Sequence, residues 1–439
     1  MTWDTLLRPP LREIGAYEPG EPLDELMARH GLTTVDKLNW NEGLWGPLPG
    51  VLDAVAGALD QSWAYPEHAY NTLREAIAAE TGARPGQVLP GHGIQALILT
   101  LVNAFVNPGD TVVVPAPTYG LYAQACRVAG ARVQRVNSPE LRLDLEAIAA
   151  AVRATDAKLV WICDPNNPTG LRLEAAEWRA FLDAVGPDCV VIADEAYMDF
   201  VAPLERVRRE EDIAEGRRVV VLRTFSKIFG LAGLRLGYLL ADADLVRYLN
   251  SVQEPFNVNR AALAAGTASL GRAGEVAERR ELAIGARERL ARRLAVGGMA
   301  PVPSSANFVL VDLGGVDDGD LDAALVRRGV LVRPGSELGL PGWARITVGP
   351  EEVMDRAAAA LLETRLDLLA ARVPAGARSP GRSRLTASRS SGASRGRTTS
   401  RSTRGCRPPA SATSARVTSR APGSPRTATA ASPAAPACA

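Results

Sequence analysis

Two observations predict an α/β fold. Short, β-branched, nearly continuous apolar runs recur through the middle of the 439-residue chain, and longer Ala/Leu/Glu/Arg-rich stretches of helical character lie between them. Such runs suit strands buried on both faces of a mostly parallel sheet, and the stretches between suit crossover helices.

The runs are DTVVVPAP (110–117), KLVWICDP (158–165), CVVIADEA (189–196) and RVVVLRTF (218–225). Segments such as LDLEAIAAAVRA and LEAAEWRAFLDAV alternate with them, so residues 45–255 read as one large unit. A smaller α+β unit is expected over 256–371. It opens on PFNVNRAALAAG and continues through a long charged helix (GEVAERRELAIGARERLARRLAV) and a strand (NFVLVDL). A helix (DLDAALVRRG), two more strands (VLVRP, ARITVG) and a last helix (EEVMDRAAAALLETRLDLLAA) complete it. Residues 1–44 are expected to form an arm that packs on this smaller unit. From 372 to 439 the chain is Arg, Ser, Ala, Thr, Pro and Gly with almost no large apolar residue. That tail cannot bury a core and is expected to be disordered and without function.

The formal net charge of +1 conceals a strong asymmetry. No acidic residue follows Asp367, and thirteen arginines lie from Arg372 onwards, so the body up to 371 carries 37 basic against 49 acidic residues. An acidic body argues against a nucleic-acid partner. Five cysteines without a C-x-x-C pair suggest a reduced, cytoplasmic protein, and three scattered histidines give no zinc site. Neither a signal peptide nor a membrane span is expected.

Chemistry concentrates where the apolar runs end, the place where open α/β sheets bind ligands. Lys227, in TFSKIFGLAGLR, is one of only three lysines in the chain, the other 47 basic residues being arginines. Arginine supplies charge but not a deprotonated, nucleophilic amine, so a lysine kept here suits a Schiff base. DEAY places Asp194 and Tyr197 at a strand end, and DPNNPTG aims Asn167 from a rigid turn. Tyr119 follows another strand, as a ring that would pack in a core or stack on a flat ligand. Gly91 and Gly93 precede a helix whose N-terminus would favour a phosphate. Ser226 and Arg235 add a hydroxyl and a guanidinium for the same anion. Each motif alone has a plain structural reading as a turn or a solvated strand end. Together they meet the demands of pyridoxal 5′-phosphate (PLP).

On these motifs, with KLNWNEGLWGPLP, AYPEHAYNTLREAIA, SSANFVLVD and GLPGWARITVG, the chain resembles the fold-type I PLP-dependent aminotransferases over residues 15–365. Within them it resembles the histidinol-phosphate aminotransferase subfamily, enzymes of histidine biosynthesis. The resemblance implies a large α/β domain with a mostly parallel seven-stranded sheet, a smaller α+β domain and a homodimer. It implies that Lys227 binds the cofactor covalently, that Asp194 pairs with the ring nitrogen, and that Tyr197 and Asn167 hold the phenolic oxygen. Tyr119 would stack on the ring. Ser226, Arg235 and the backbone of Gly93, Ile94 and Gln95 would hold the phosphate, joined by Tyr65 of the partner subunit. Arg345, with Arg333 beside it and Asn41 nearby, would bind the substrate. An amino donor and a 2-oxo acid acceptor follow as the small-molecule partners. The chain departs from the family where N-E-N-P becomes Asn41-Glu42-Gly43-Leu44, where Ile94 and Gln95 follow the G-x-G, and where R-Y-P becomes Ala64-Tyr65-Pro66.

Other readings stay open at this level. An aromatic amino acid aminotransferase and a threonine-phosphate decarboxylase share most of these motifs. A PLP-sensing regulator needs a DNA-binding module, for which about 40 residues before the core give no room. An RNA-binding role for the tail lacks aromatic residues to stack on bases. Because the tail has no core-forming pattern, a chain ending near Ala371 is expected to keep the melting temperature and turnover of the full chain. A large loss of either would mean that the tail packs on the body or enters the site.

Overall fold

The computed structural model describes residues 3–12, 14 and 21–372; the Arg-rich tail lies outside the described residues. A two-residue strand, β1 (Asp36–Lys37), precedes the main sheet. That sheet has seven strands: β2 (Val88–Gly91), β3 (Thr111–Ala116), β4 (Arg132–Asn137), β5 (Leu159–Cys163), β6 (Val190–Asp194), β7 (Val219–Thr224) and β8 (Gly237–Leu240). Their spatial order is β2-β8-β7-β6-β5-β3-β4. Strands β3 to β7 pair in parallel, and β8 runs against both of its neighbours. The α/β class with a mostly parallel sheet is therefore as expected.

The four apolar runs became β3, β5, β6 and β7 because helices cover both faces of the sheet. Along β5, Leu159, Trp161 and Cys163 enter the core on one face, and Val160 and Ile162 enter the core on the other. Successive residues of a strand point to opposite sides, so a strand covered on both sides must be apolar throughout. The first core packs against the helix Gly93–Phe105 through Leu97, Ile98 and Leu101; the second packs against Ala175–Val185 through Trp178 and Phe181.

A second sheet follows, made of β9 (Ala300–Pro301), β10 (Phe308–Asp312), β12 (Arg333–Pro334) and β13 (Trp343–Thr347), while β11 (Val330–Leu331) pairs in parallel with β1. The helices Ala273–Val296 and Glu351–Arg372 share a core with it that includes Leu290, Leu294, Val309, Val311, Ile346 and Leu361. The segment after β1 is bound to the same sheet. Thr347 is the junction: its N–H donates to the Leu38 carbonyl (2.9 Å), its hydroxyl donates to the same carbonyl (2.7 Å), and it accepts from the Asn41 N–H (2.9 Å).

Two loops then meet backbone to backbone. Gly230 has φ +70°, and a Cβ on it would collide with the carbonyl oxygen of Gly46. A Cβ on Gly43 would collide with the carbonyl oxygen of Lys227. Arg279, from the long helix, ties both loops together by donating to the carbonyls of Gly46 (2.5 Å) and Ile228 (3.1 Å). Gly230→Ala imposes both a left-handed backbone and that collision, so it is expected to lower unfolding free energy by about 3 kcal/mol. Urea denaturation of the apoprotein reads this directly. A loss under about 1 kcal/mol would mean that the loops part without penalty.

Candidate active site

The carboxyl ends of β3, β5, β6 and β7 converge, and the segments leaving them carry Tyr119, Asn167, Asp194, and Ser226 with Lys227. The arm and the second sheet close over these ends. A small apolar cluster of Tyr197, Phe200, Ile228, Ala283, Ala306 and Phe308 seals the junction.

Lys227 lies at the centre. Its Nζ donates to the carbonyl oxygens of Asn41 (2.8 Å) and Trp40 (3.2 Å), both from the arm. Burial, with the positive charges of Arg345 and Arg235, pushes its amine down to about 7, against a smaller pull upward from Glu42. An amine in that range is available as a base or nucleophile near neutrality.

Asp194 ends β6 and is buried. Its Oδ2 accepts from the Tyr122 hydroxyl (2.6 Å) and its Oδ1 from the Ala196 N–H (3.0 Å). Burial raises the carboxyl to about 6; those two donors and the charge of Lys227 hold it from going higher. Tyr197 is buried edge-on against Phe308 (5.1 Å between ring centroids), and its hydroxyl accepts from Asn41 Nδ2 (3.0 Å). Burial raises the Tyr197 phenol above its ordinary range, so it serves as a neutral hydrogen-bonding group.

Asn167 stands in a turn with cis peptide bonds before Pro165 and Pro168. Its Oδ1 accepts from Arg345 Nη1 (2.5 Å), and Arg345 Nη2 donates to the Asn39 carbonyl (2.7 Å). Arg345 Nε is buried without a partner. Burial, chiefly, lowers this guanidinium to about 10, so it stays charged at neutral pH. Arg333 stands directly opposite Arg345 across β12 and β13, with one nitrogen 2.8 Å from Glu337.

The remaining polar groups gather at the start of the helix Gly93–Phe105. Gln95 Nε2 donates to the Tyr119 hydroxyl (3.0 Å), and Arg235 Nη2 donates to Gln95 Oε1 (3.2 Å). Gly93 has φ +73°, and a Cβ there would come within 2.8 Å of Arg235 Nη2. Glycine thus lets the guanidinium lie against the helix start, where the free amides of Gly93, Ile94 and Gln95 are, and Ser226 is buried beyond it.

The fold thus brings together Lys227, Asp194, Tyr197, Asn167, Arg345 and Asn41, and at the helix start Gln95, Tyr119, Arg235 and Gly93. Tyr65 is not among them: it is 77% exposed and its ring stacks on Phe256 at 4.7 Å. Two contributors escaped the sequence reading. Tyr122 had a faint signal, a second tyrosine just past the strand that ends before Tyr119. The arm carbonyls of Asn39, Trp40 and Asn41 had none, since main-chain acceptors leave no mark in a sequence. Gly43, where the chain departs from N-E-N-P, backs the Lys227 main chain.

This donor set fits PLP. A half-buried amine donates to carbonyl oxygens and lies over the Tyr197 ring, a buried carboxylate ends the neighbouring strand, and glycine leaves an anion cradle at a helix start beside a guanidinium.

The family model for aminotransferase class I and II matches residues 35–361. The histidinol-phosphate aminotransferase of Anaeromyxobacter sp. (strain Fw109-5) is 40% identical over 360 residues, 81% of this chain and 98% of that one. That of Moorella thermoacetica is 37% identical over 343 residues, 78% and 88% of the two chains. Among solved structures, histidinol-phosphate aminotransferase from Sinorhizobium meliloti in complex with pyridoxal-5′-phosphate superposes with a TM-score of 0.76 at 30% identity, covering 82% of this chain and 98% of that one.

The depressed amine gives a prediction. Neutral Lys227 predominates above about pH 7, so covalent loading of apoprotein with PLP is expected to accelerate up to that pH and then level off. An ordinary lysine would keep accelerating towards about pH 10. In Lys227→Ala, borohydride should no longer fix the cofactor to the chain. Fixation in that variant would transfer the role to another lysine.

Proposed function

This chain belongs to the class I and II aminotransferases, and from that premise we propose that it is a histidinol-phosphate transaminase. It is a PLP-dependent transaminase; the proposal concerns its substrates. The reaction would interconvert histidinol phosphate and 2-oxoglutarate with imidazole-acetol phosphate and glutamate. When bound, PLP supplies a carbonyl group that a primary amine can condense with and a ring that accepts electrons from the substrate Cα.

The chain's own residues do the rest. Lys227, held near neutrality in its proton affinity, would take the proton from the substrate Cα and hold it on Nζ. Asp194 would present a buried negative charge to the ring nitrogen and so favour its protonated form. Tyr197 and Asn167 hydrogen-bond the phenolic oxygen. Tyr119 offers a flat face. Ser226, Arg235 and the amides of Gly93, Ile94 and Gln95 hold the cofactor phosphate. The junction cluster around Phe308 excludes water from the same space.

The observation that carries the substrate reading is the pair Arg345 and Arg333, facing each other across β12 and β13 at the edge of the site. A phosphate near neutrality carries almost two charges and three acceptor oxygens, which suit two arginines; one bidentate arginine satisfies a carboxylate. Asn41, joined to Tyr197 and hard against Lys227, lines the substrate side. The names of the relatives support the same choice.

In this reading residues 45–255 are the cofactor-binding domain, and the arm 1–44 joins 256–371 in the small one. The enzyme works as a cytoplasmic homodimer in which Tyr65 reaches the partner's cofactor phosphate. The exposure of Tyr65 together with Leu52, Leu59 and Trp63 supports this face as the contact between subunits.

Histidinol phosphate is expected to convert the bound cofactor faster than phenylalanine at equal concentration, in a half-reaction followed by absorbance. Arg345→Ala should lower kcat/KM for it by about 3 kcal/mol, roughly a hundredfold, because a charge-assisted contact is lost from a desolvated site. Faster conversion by phenylalanine would establish the aromatic reading. Release of carbon dioxide from threonine phosphate would establish the decarboxylase.

A further inference from the structure

Behind the cofactor face lies a set of buried charges to which the chemistry above gives no role. Asp164 follows β5 and Glu195 follows β6, and the two strand ends are joined by the Asp164 N–H donating to the Asp194 carbonyl (2.9 Å). Strand alternation turns Glu195 away from the face that Asp194 serves. Asp164 and Glu195 are 1% and 2% exposed, two like charges side by side in the interior. Arg209, with no exposed surface, lies between them. Its Nη2 donates to Asp164 Oδ2 (2.5 Å) and its Nη1 to Glu195 Oε1 (2.7 Å), while its guanidinium lies over the Trp178 ring at 4.1 Å. The second oxygen of Glu195 accepts from Arg223 Nε on β7 (2.7 Å), and Arg223 also reaches Glu210 (2.6 Å).

Carboxylates and arginines therefore alternate across three adjacent parallel strands, immediately beneath the segments that present Asn167, Asp194 and Lys227. Stability alone does not explain such a ladder. Apolar side chains of similar volume usually hold a core as well as a buried ion triad does. What the ladder supplies is the fixed fork of a guanidinium and a set of charges next to Asp194.

We propose that Arg209 is a positioning residue of the transaminase site: by bridging Asp164 and Glu195 it sets the spacing of the strand ends that aim Asn167 and Asp194 at one cofactor ring. This rests on the assignment of those two residues to PLP. The charge of Arg209 has a second consequence. Glu195 raises the proton affinity of Asp194, and Arg209 offsets Glu195. Without Arg209, the protonated forms of the bound cofactor gain stability.

The test uses holoenzyme and reloaded apoenzyme of R209K, R209M and D194N. It reads PLP affinity, the pH midpoint of the bound cofactor's visible spectrum, and melting temperature. R209M is expected to bind PLP about tenfold more weakly and to move the midpoint upward by about half a pH unit or more. R209K keeps the charge but cannot fork, so it should lose affinity while its midpoint stays near that of the wild type. Affinity within twofold and an unmoved midpoint in both variants, whatever their melting temperatures, would reduce Arg209 to core packing and overturn the proposal. Should R209M not fold, R209K and E195Q, which removes one rung and leaves Arg209 in place, decide the matter by the same readings. D194N separates the two levels: if its spectrum and affinity equal the wild type's, the assignment of Asp194 has failed, and with it the ground for Arg209.

Discussion

An amine that must be neutral near pH 7 has to be kept out of water and beside positive charge, and that requirement organises the rest of this structure. Lys227 meets it through burial and through Arg345 and Arg235. Taking an amine out of water leaves its N–H donors to satisfy. The strand ends that carry the other cofactor groups offer side chains, but the acceptors that Lys227 finds are main-chain carbonyls of Trp40 and Asn41. The arm therefore supplies the acceptors of the Lys227 amine. Its fixation by Thr347, and the contact of Gly43 with the Lys227 main chain, hold those acceptors in place.

The same economy governs the opposite charge. Asp194 is buried, and burial alone would leave it protonated and unable to hold a positive ring nitrogen. The Tyr122 hydroxyl and the Ala196 N–H each occupy one of its oxygens and draw it back towards the ionised form. Tyr122 is itself held by stacking on Trp161 at 4.8 Å. A residue in the middle of β5 thus bears on a proton at the end of β6.

Much of the fold was legible because burial on both faces forces a strand to be apolar at every position. That is why the segments of β3, β5, β6 and β7 stood out. β4 did not, since it is an edge strand whose RVQRVN keeps polar residues at exposed positions. β2 and β8 are short, and glycine and proline blur them. Within the site, side chains with a distinctive chemistry could be found. The lysine of TFSKIFG in an arginine-rich chain, the DEAY carboxylate and the Asn-Pro turn all lie where strand ends converge. What could not be found was contributed by main-chain carbonyls, by long-range pairing such as Arg345 with Asn167, and by a tyrosine whose role depends on which carboxylate it meets. Gly43 shows the limit from the other side: the departure from the usual motif is plain in the sequence, but the close approach of two backbones that it allows is not.

The junction at Thr347 also bears on how the chain is made. Asn41 and Thr347 are 306 residues apart, and β1 waits for β11, which is synthesised nearly 300 residues later. Strands β2 to β8 have all left the ribosome well before then, so the main sheet can form while the arm remains unpaired. Contacts of such sequence separation are slow to close, and they come last. An apoprotein emerging in this order acquires its sheet first and the acceptors for its lysine only on completion. Chains truncated within the last strands would keep a folded sheet and have no arm docked over it, which makes early termination a route to stable but inert protein.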